Sequence, residues 1–104
     1  MSDRWAVYPG PEFWDELRAE LIRTGVASLA EFDRVELPWV LDRFALFWDR
    51  LQPVIDDFPQ RRFAEFVSLA GYRFLVDGWE HADGRVELVD VEIATWEHPV
   101  IEPN

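Results

Sequence analysis

The spacing of apolar and polar positions changes along the chain, from helical in the first half to strand-like in the second. Residues 3–8 alternate between the two classes and predict a short strand that ends at Pro9 and Gly10. Apolar residues then recur every three or four positions and predict a helix over 11–24, with Gly25 as the residue that ends it. The chain therefore opens with a strand followed directly by an amphipathic helix.

Two further helices are predicted before the pattern changes. Ser28 and Glu31 have the spacing of a capping box and predict a short helix over 29–35. The clearest amphipathic stretch follows and predicts a helix over 38–52, which Pro53 ends or kinks because proline lacks the N–H that a helix interior needs.

A β-hairpin is predicted over 72–96. Two β-rich runs flank Asp83 and Gly84, and Asp-Gly between such runs is typical of a two-residue type I′ turn. That turn length fixes the register and builds one apolar face from both strands. The predicted pairs on this face are Val76 with Val91, Phe74 with Ile93, Tyr72 with Thr95, and Gly78 with Val89.

The other face of this hairpin is the main candidate for function. The predicted register places Arg73, Leu75, Asp77 and Trp79 opposite Ala94, Glu92, Asp90 and Leu88. Like charges directly opposite each other destabilise a sheet, so the Asp77–Asp90 pair calls for compensation. Arg73 could neutralise the cluster, the carboxylates could face a basic partner, or they could bind a divalent cation. Trp79, Leu75 and Leu88 would form an apolar island among the charges, typical of an interface anchor. The predicted partner-binding residues are Arg73, Asp77, Trp79, Asp90 and Glu92.

Residues 60–70 fit either a helix that starts at Pro59 or a strand, and periodicity does not decide between them. A strand, then helices, then antiparallel strands indicates an α+β fold: two main helices packed on a small antiparallel sheet with a C-terminal hairpin. The chain of 104 residues suits a single domain, 1–104.

The charge is the unusual feature of the composition. The formal net charge is -11, and all ten basic residues are arginine. Direct binding to nucleic acid depends on cations that neutralise phosphates, so this balance opposes it. The acidity either favours a partner protein with a basic surface or serves only to keep the domain soluble. The absence of cysteine excludes disulfides and thiolate metal sites. The N-terminus does not resemble a signal peptide and no apolar run is long enough to span a membrane, which together predict a cytoplasmic protein without membrane contact.

Neither a cofactor motif nor a metal motif is present in the sequence. His81 and His98 each follow a glutamate, but in the predicted hairpin they lie roughly 40–50 Å apart, which disfavours a shared metal site. We therefore expect no cofactor and no bound metal.

The order of the elements resembles the RelE/ParE-like toxins of bacterial toxin–antitoxin pairs. The similarity is carried by the strand-helix run RWAVYPGPEFWDELRAEL, the helix PWVLDRFALFWDRL, the strand GYRFLV and the last strand RVELVDVEIATW. It implies a strand over 61–69 paired with 72–80. It also implies that Arg73 stands where ribonuclease members hold the scissile phosphate, with Arg61 and Arg62 as upstream basic residues and His98 near an acid–base position. The acidity and the absence of lysine depart from the basic ribosome-dependent members.

Three functions follow as hypotheses. The first is a small acidic binding domain of RelE/ParE type that acts by protein–protein contact. The second is an acidic inhibitor, either an immunity protein or a nucleic-acid mimic, that blocks a basic site. The third is an RNA-cleaving toxin that uses Arg73 and His98.

Overall fold

The computed structural model describes residues 4–95, and within this range the chain forms five strands and a layer of helices. In chain order the elements are β1 (Val7–Pro9), α1 (Pro11–Thr24), α2 (Leu29–Glu31), a π-helical turn (Phe32–Glu36), α3 (Leu37–Phe47), a 3₁₀ turn (Trp48–Arg50), β2 (Gln52–Pro53), β3 (Arg61–Val67), β4 (Arg73–Glu80) and β5 (Val86–Ile93). The predicted α+β class is confirmed.

The sheet is mixed, with the order β1-β5-β4-β3-β2. Strands β2 to β5 pair in antiparallel fashion, whereas β1 runs parallel to β5. Hydrogen bonds from the Val86 N–H to the Ala6 carbonyl (2.8 Å) and from the Gly10 N–H to the Leu88 carbonyl (3.0 Å) fix β1 at this edge. The sheet is therefore mixed and not wholly antiparallel as predicted. Parallel strands need a long connection, and here the helices and the strands β2 to β4 lie between β1 and β5 along the chain.

The core lies between the helices and one face of the sheet. Phe13 and Leu17 of α1, together with Phe44 of α3, have no exposed surface. The sheet contributes Phe74, Val76, Leu88, Val91 and Ile93 to the same cluster. Helix α1 has the predicted bounds, because Pro11 opens it and Gly25 ends it in the left-handed conformation with φ 67°.

The predicted short helix and the following helix are continuous. The Ser28 hydroxyl accepts the Glu31 N–H (3.1 Å), as its predicted role as cap requires. The π-helical turn then leads into α3, with the Leu37 N–H bonded to the Phe32 carbonyl. Pro38 lacks an N–H and its ring crowds the preceding turn, so the wider π turn lets the helix pass through it.

Helix α3 ends earlier than predicted. It stops at Phe47, and Gln52 is already part of β2, so the predicted end at Gln52 is wrong. The Arg62 guanidinium explains the early end, because its Nη1 lies 3.2, 2.9 and 3.1 Å from the carbonyl oxygens of Trp48, Asp49 and Leu51. These contacts satisfy carbonyls that a longer helix would have bonded internally.

The hairpin between β4 and β5 has a three-residue loop rather than the predicted two-residue turn. The His81 N–H bonds to the Arg85 carbonyl (2.8 Å), and the Gly84 N–H bonds to the His81 carbonyl (2.9 Å). Gly84 has φ 86°, which fits the left-handed position of such a loop. The register near the turn is therefore shifted by one residue, and Gly78 faces Leu88 instead of Val89.

A second irregularity between Asp77 and Gly78 restores the predicted register further along. Phe74 faces Ile93 and Val76 faces Val91, as predicted. Residues 61–67 form a strand paired with β4, which settles the open choice over 60–70 in favour of a strand.

Candidate functional site

The sheet face away from the core cluster carries charged residues from three adjacent strands. Asp77 on β4 lies directly opposite Asp90 on β5, and Glu92 lies opposite Leu75, as predicted. On the other side of β4, Phe63 faces Asp77 and Glu65 faces Leu75. Two carboxylates are thus neighbours across a strand pair, an arrangement that costs stability unless a cation offsets it.

Arg61 of β3 is the cation beside this pair. Its Nη2 lies 3.0 Å from Asp77 Oδ2, along the diagonal between the two strands. Arg73, which was considered for this role, forms its ion pair with Glu65 along the equivalent diagonal. Sequence reasoning missed Arg61 here because the strand state of its segment was open, so its face was not defined.

Burial perturbs both aspartates. It raises the pKa of Asp77 above its ordinary value, although the Arg61 guanidinium acts in the opposite direction. Burial likewise raises the pKa of Asp90, and the Val91 N–H, bonded to its carboxylate at 2.9 Å, opposes this rise. One arginine therefore compensates the cluster only partly.

The predicted partner-binding residues differ in their exposure. Arg73 is exposed, whereas Trp79, Asp90 and Glu92 are half-buried and Asp77 is only 8% exposed. The prediction that Trp79 neighbours Leu88 on this face is wrong. The shifted register turns the Leu88 side chain into the core, and the Trp79 ring packs instead against Phe58, with ring centroids 5.4 Å apart.

The outer edge of β3 is a feature that the sequence did not reveal. β2 pairs only with Arg62 and Phe63, so in the described range no strand covers the next part of β3. The Val54 N–H bonds to the Arg61 carbonyl, which shows that the backbone groups of odd-numbered residues point outward here. The N–H and C=O of Glu65 and Val67 therefore face away from the sheet, and we call these two residues the open β3 edge.

Apolar side chains flank the open β3 edge on both sides. Val67 is 52% exposed on the face away from the helices. Trp39 of α3 is 47% exposed and packs edge-on against Phe66, with ring centroids 5.6 Å apart, on the helical face. Leu69, two residues beyond Val67, is 86% exposed. An uncovered strand edge with apolar flanks is a surface that pairs with another strand.

The histidines do not form a metal centre in the described part of the chain. His81 Nε2 lies 2.8 Å from Glu87 Oε1 and its ring stacks on Tyr8, with centroids 6.4 Å apart. His98 lies outside the described residues. No group of three or more His, Cys, Asp or Glu within residues 4–95 could hold a metal ion, and no helix there is long and apolar enough to cross a membrane.

Comparison with known proteins identifies no relative of this chain. No family model matches the chain, and neither a curated protein nor a solved structure matches it significantly.

Proposed function

We propose that this protein is a cytoplasmic binding module that takes an extended, basic segment of a partner protein along the open β3 edge. The observation that carries the proposal is the short β2, which leaves the outward backbone groups of Glu65 and Val67 without a strand partner in the described range. A strand added there gains main-chain hydrogen bonds, and its alternate side chains contact Trp39 on one face and Val67 on the other.

Charge supports a basic partner. The chain has a net charge of -11, so its field attracts cationic segments and repels acidic ones. Close to the edge, Glu65 pairs with Arg73, and the Asp77–Asp90 pair with Arg61 lies further along the same face. A basic strand would bring lysine or arginine side chains over this face.

The proposal is tested with a short acetylated peptide that alternates lysine and valine, and with a glutamate–valine peptide as its acidic counterpart. We expect the basic peptide to bind, with an affinity that falls as salt rises, and the acidic peptide to bind far more weakly. Isothermal titration calorimetry at two salt concentrations measures both.

Val67→Pro tests the location of binding. It removes an outward N–H while leaving the β4 ladder intact, since proline is tolerated on the free side of an edge strand. We expect an affinity loss of about tenfold for the basic peptide, because a main-chain hydrogen bond and the approach of the strand are both lost. Val67→Thr keeps the N–H and should bind like the parent chain. Equal binding by all three proteins would refute strand addition at this edge.

The kinship with RelE/ParE-like toxins is a further proposal within the same class of function. It is supported by the order of strand, helices and antiparallel strands, and by β3 and β4 meeting across Ala70 and Gly71. The ion pair between Arg73 and Glu65 does not favour a phosphate-binding role for that arginine. Growth arrest on expression in bacteria without a partner gene would support a toxin, whereas healthy dense cultures and tight binding to a basic protein would support the acidic inhibitor.

A further inference from the structure

A small cleft lies beside the end of β3, between the π-helical turn and the loop that joins β3 to β4. Its volume is about 220 Å³. Its lining includes Phe32, Val35, Leu69 and Tyr72, together with the acidic residues Glu31 and Glu36. The walls are mainly apolar, and the acidic residues among them have no cation beside them in this lining.

Two of the residues that line this cleft each carry a buried polar atom without a partner. Glu36 is only 5% exposed, and its Oε2 is buried without a hydrogen bond. Tyr72 Oη is also buried without a hydrogen bond, and the Ser68 hydroxyl instead accepts the Tyr72 N–H (3.1 Å). Buried polar groups are nearly always paired, so two such atoms in one cleft indicate a missing ligand group.

Electrostatics defines what this group should be. Burial raises the pKa of Glu36, while the Leu69 N–H, bonded to its carboxylate, acts in the opposite direction. Burial and the nearby Glu36 raise the pKa of Tyr72 to about 12. A cation placed between the two oxygens would stabilise the ionised form of Glu36. No arginine is among the lining residues of the cleft to neutralise this carboxylate instead.

We propose that the cleft receives the alkylammonium group of a lysine side chain, presented by the partner segment that lies on the open β3 edge. The inference rests on that proposed function, since Leu69 follows Val67 by two residues and brings the cleft into line with the edge. One Glu36 oxygen is engaged by the Leu69 N–H, so the free acceptors are Glu36 Oε2 and Tyr72 Oη. A compact ammonium with three donors fits two separate acceptors better than the planar fork of arginine does.

The methylene stem of lysine matches the apolar walls formed by Phe32, Val35 and Leu69. Both acceptor oxygens are closed to solvent, so the ammonium reaches them only when lining side chains move aside, and Leu69 is one of the exposed residues of the wall. This chain contains no lysine, so the occupant belongs to a different protein and not to a second copy.

The cleft is tested first without any peptide, by NMR titration of the full chain with n-butylammonium chloride. We expect saturable shifts of the Glu36, Leu69 and Tyr72 amides, and a fall in the pKa of the Glu36 carboxyl as the amine binds. 1-Butanol and sodium chloride at matched ionic strength should not reproduce them. Shifts spread evenly over the acidic surface would overturn the inference.

Glu36→Gln keeps the shape of the side chain but removes the charge. It should weaken n-butylammonium binding by about tenfold or more, the low end for a hydrogen bond to a charged group. Glu16→Gln makes the same change on the exposed face of α1 and should leave binding unchanged. Equal effects of the two substitutions would overturn the inference.

A second arm separates this inference from the proposed function. Replacing lysine by norleucine or arginine in the basic peptide should weaken its binding to the parent chain but not to Glu36→Gln. If the peptides bind the edge equally well and remain sensitive to Val67→Pro, the lysine site is refuted and strand addition stands. If no peptide binds but n-butylammonium occupies the cleft, strand addition is refuted, and so is the lysine as presented from that edge.

Discussion

Asp90→Asn is expected to stabilise the protein at neutral pH. The substitution removes one of two carboxylates that lie directly opposite each other, Asp77 and Asp90. Asparagine keeps the oxygen that accepts the Val91 N–H, so the local backbone contact survives. Like charges directly opposite each other cost roughly 0.2–1 kcal/mol. For a domain of this size that gain corresponds to a rise of about 1–8 °C in Tm.

The pH dependence of this effect has a definite sign. A carboxyl whose pKa is raised in the folded chain holds its proton more tightly there than in the unfolded chain, so ionising it costs folding free energy. Burial raises the pKa of both Asp77 and Asp90. The cost is therefore present at pH 7 and disappears as the pH falls through the raised values, so the parent chain and Asp90→Asn should be equally stable near about pH 3.

Urea unfolding at pH 7 and at low pH measures this difference without adding salt. Asp57→Asn is the matched control, because Asp57 is exposed in the loop before β3 and the substitution removes the same single negative charge. An Asp90→Asn protein that is no more stable than Asp57→Asn at pH 7 would refute the idea that the opposed carboxylates cost stability. A gain that persists unchanged at low pH would refute its electrostatic origin.

Two further substitutions test the packing around the 3₁₀ turn. Gly78→Ala should destabilise the chain by about 1–3 kcal/mol, because a Cβ there would lie 2.9 Å from the Trp48 ring, and urea unfolding measures the loss. Arg62→Met should cost about 1.5–3 kcal/mol by removing the charged donor to the carbonyls after α3. In the same assay Arg34→Met, on an exposed position, should change stability little; an equal loss would contradict the capping role.

The helical half of the fold was predictable because its signals are local. Pro11 and Gly25 mark the ends of α1, and Ser28 caps the next helix as its spacing indicated. The end of α3 was not predictable, because Arg62, which lies far along the chain, bonds the carbonyls there. Pro53 was a misleading signal, since it belongs to a strand and not to the end of a helix.

The hairpin shows why a correct pair can follow from an incorrect turn. Asp-Gly fits a two-residue loop and a three-residue loop alike, because both place Gly84 at positive φ. The longer loop shifts the register, and the irregularity at Gly78 shifts it back, so Asp77 still meets Asp90. The rings of α3 and of the turn after it crowd Gly78, and nothing in the strand's own alternation reports this contact.

The candidate site was only partly accessible to sequence reasoning for the same reason. The carboxylates of the sheet face followed from the register, whereas Arg61 could be placed only once β3 was known to be a strand. The open β3 edge depends on how little of β3 the two residues of β2 cover. Such an edge depends on which strands pair in the folded chain, and the periodicity of a single segment does not show this.

Hydrogen exchange at β3 tests the central claim most directly. The backbone groups of Ala64 and Phe66 point toward β4, whereas those of Glu65 and Val67 point outward. We predict by NMR that the Ala64 and Phe66 amides of the free chain exchange slowly and the Glu65 and Val67 amides exchange fast, and that the basic peptide slows the latter pair. Slow exchange of Glu65 and Val67 in the free chain, or no change when the peptide is added, would contradict strand addition at the open β3 edge.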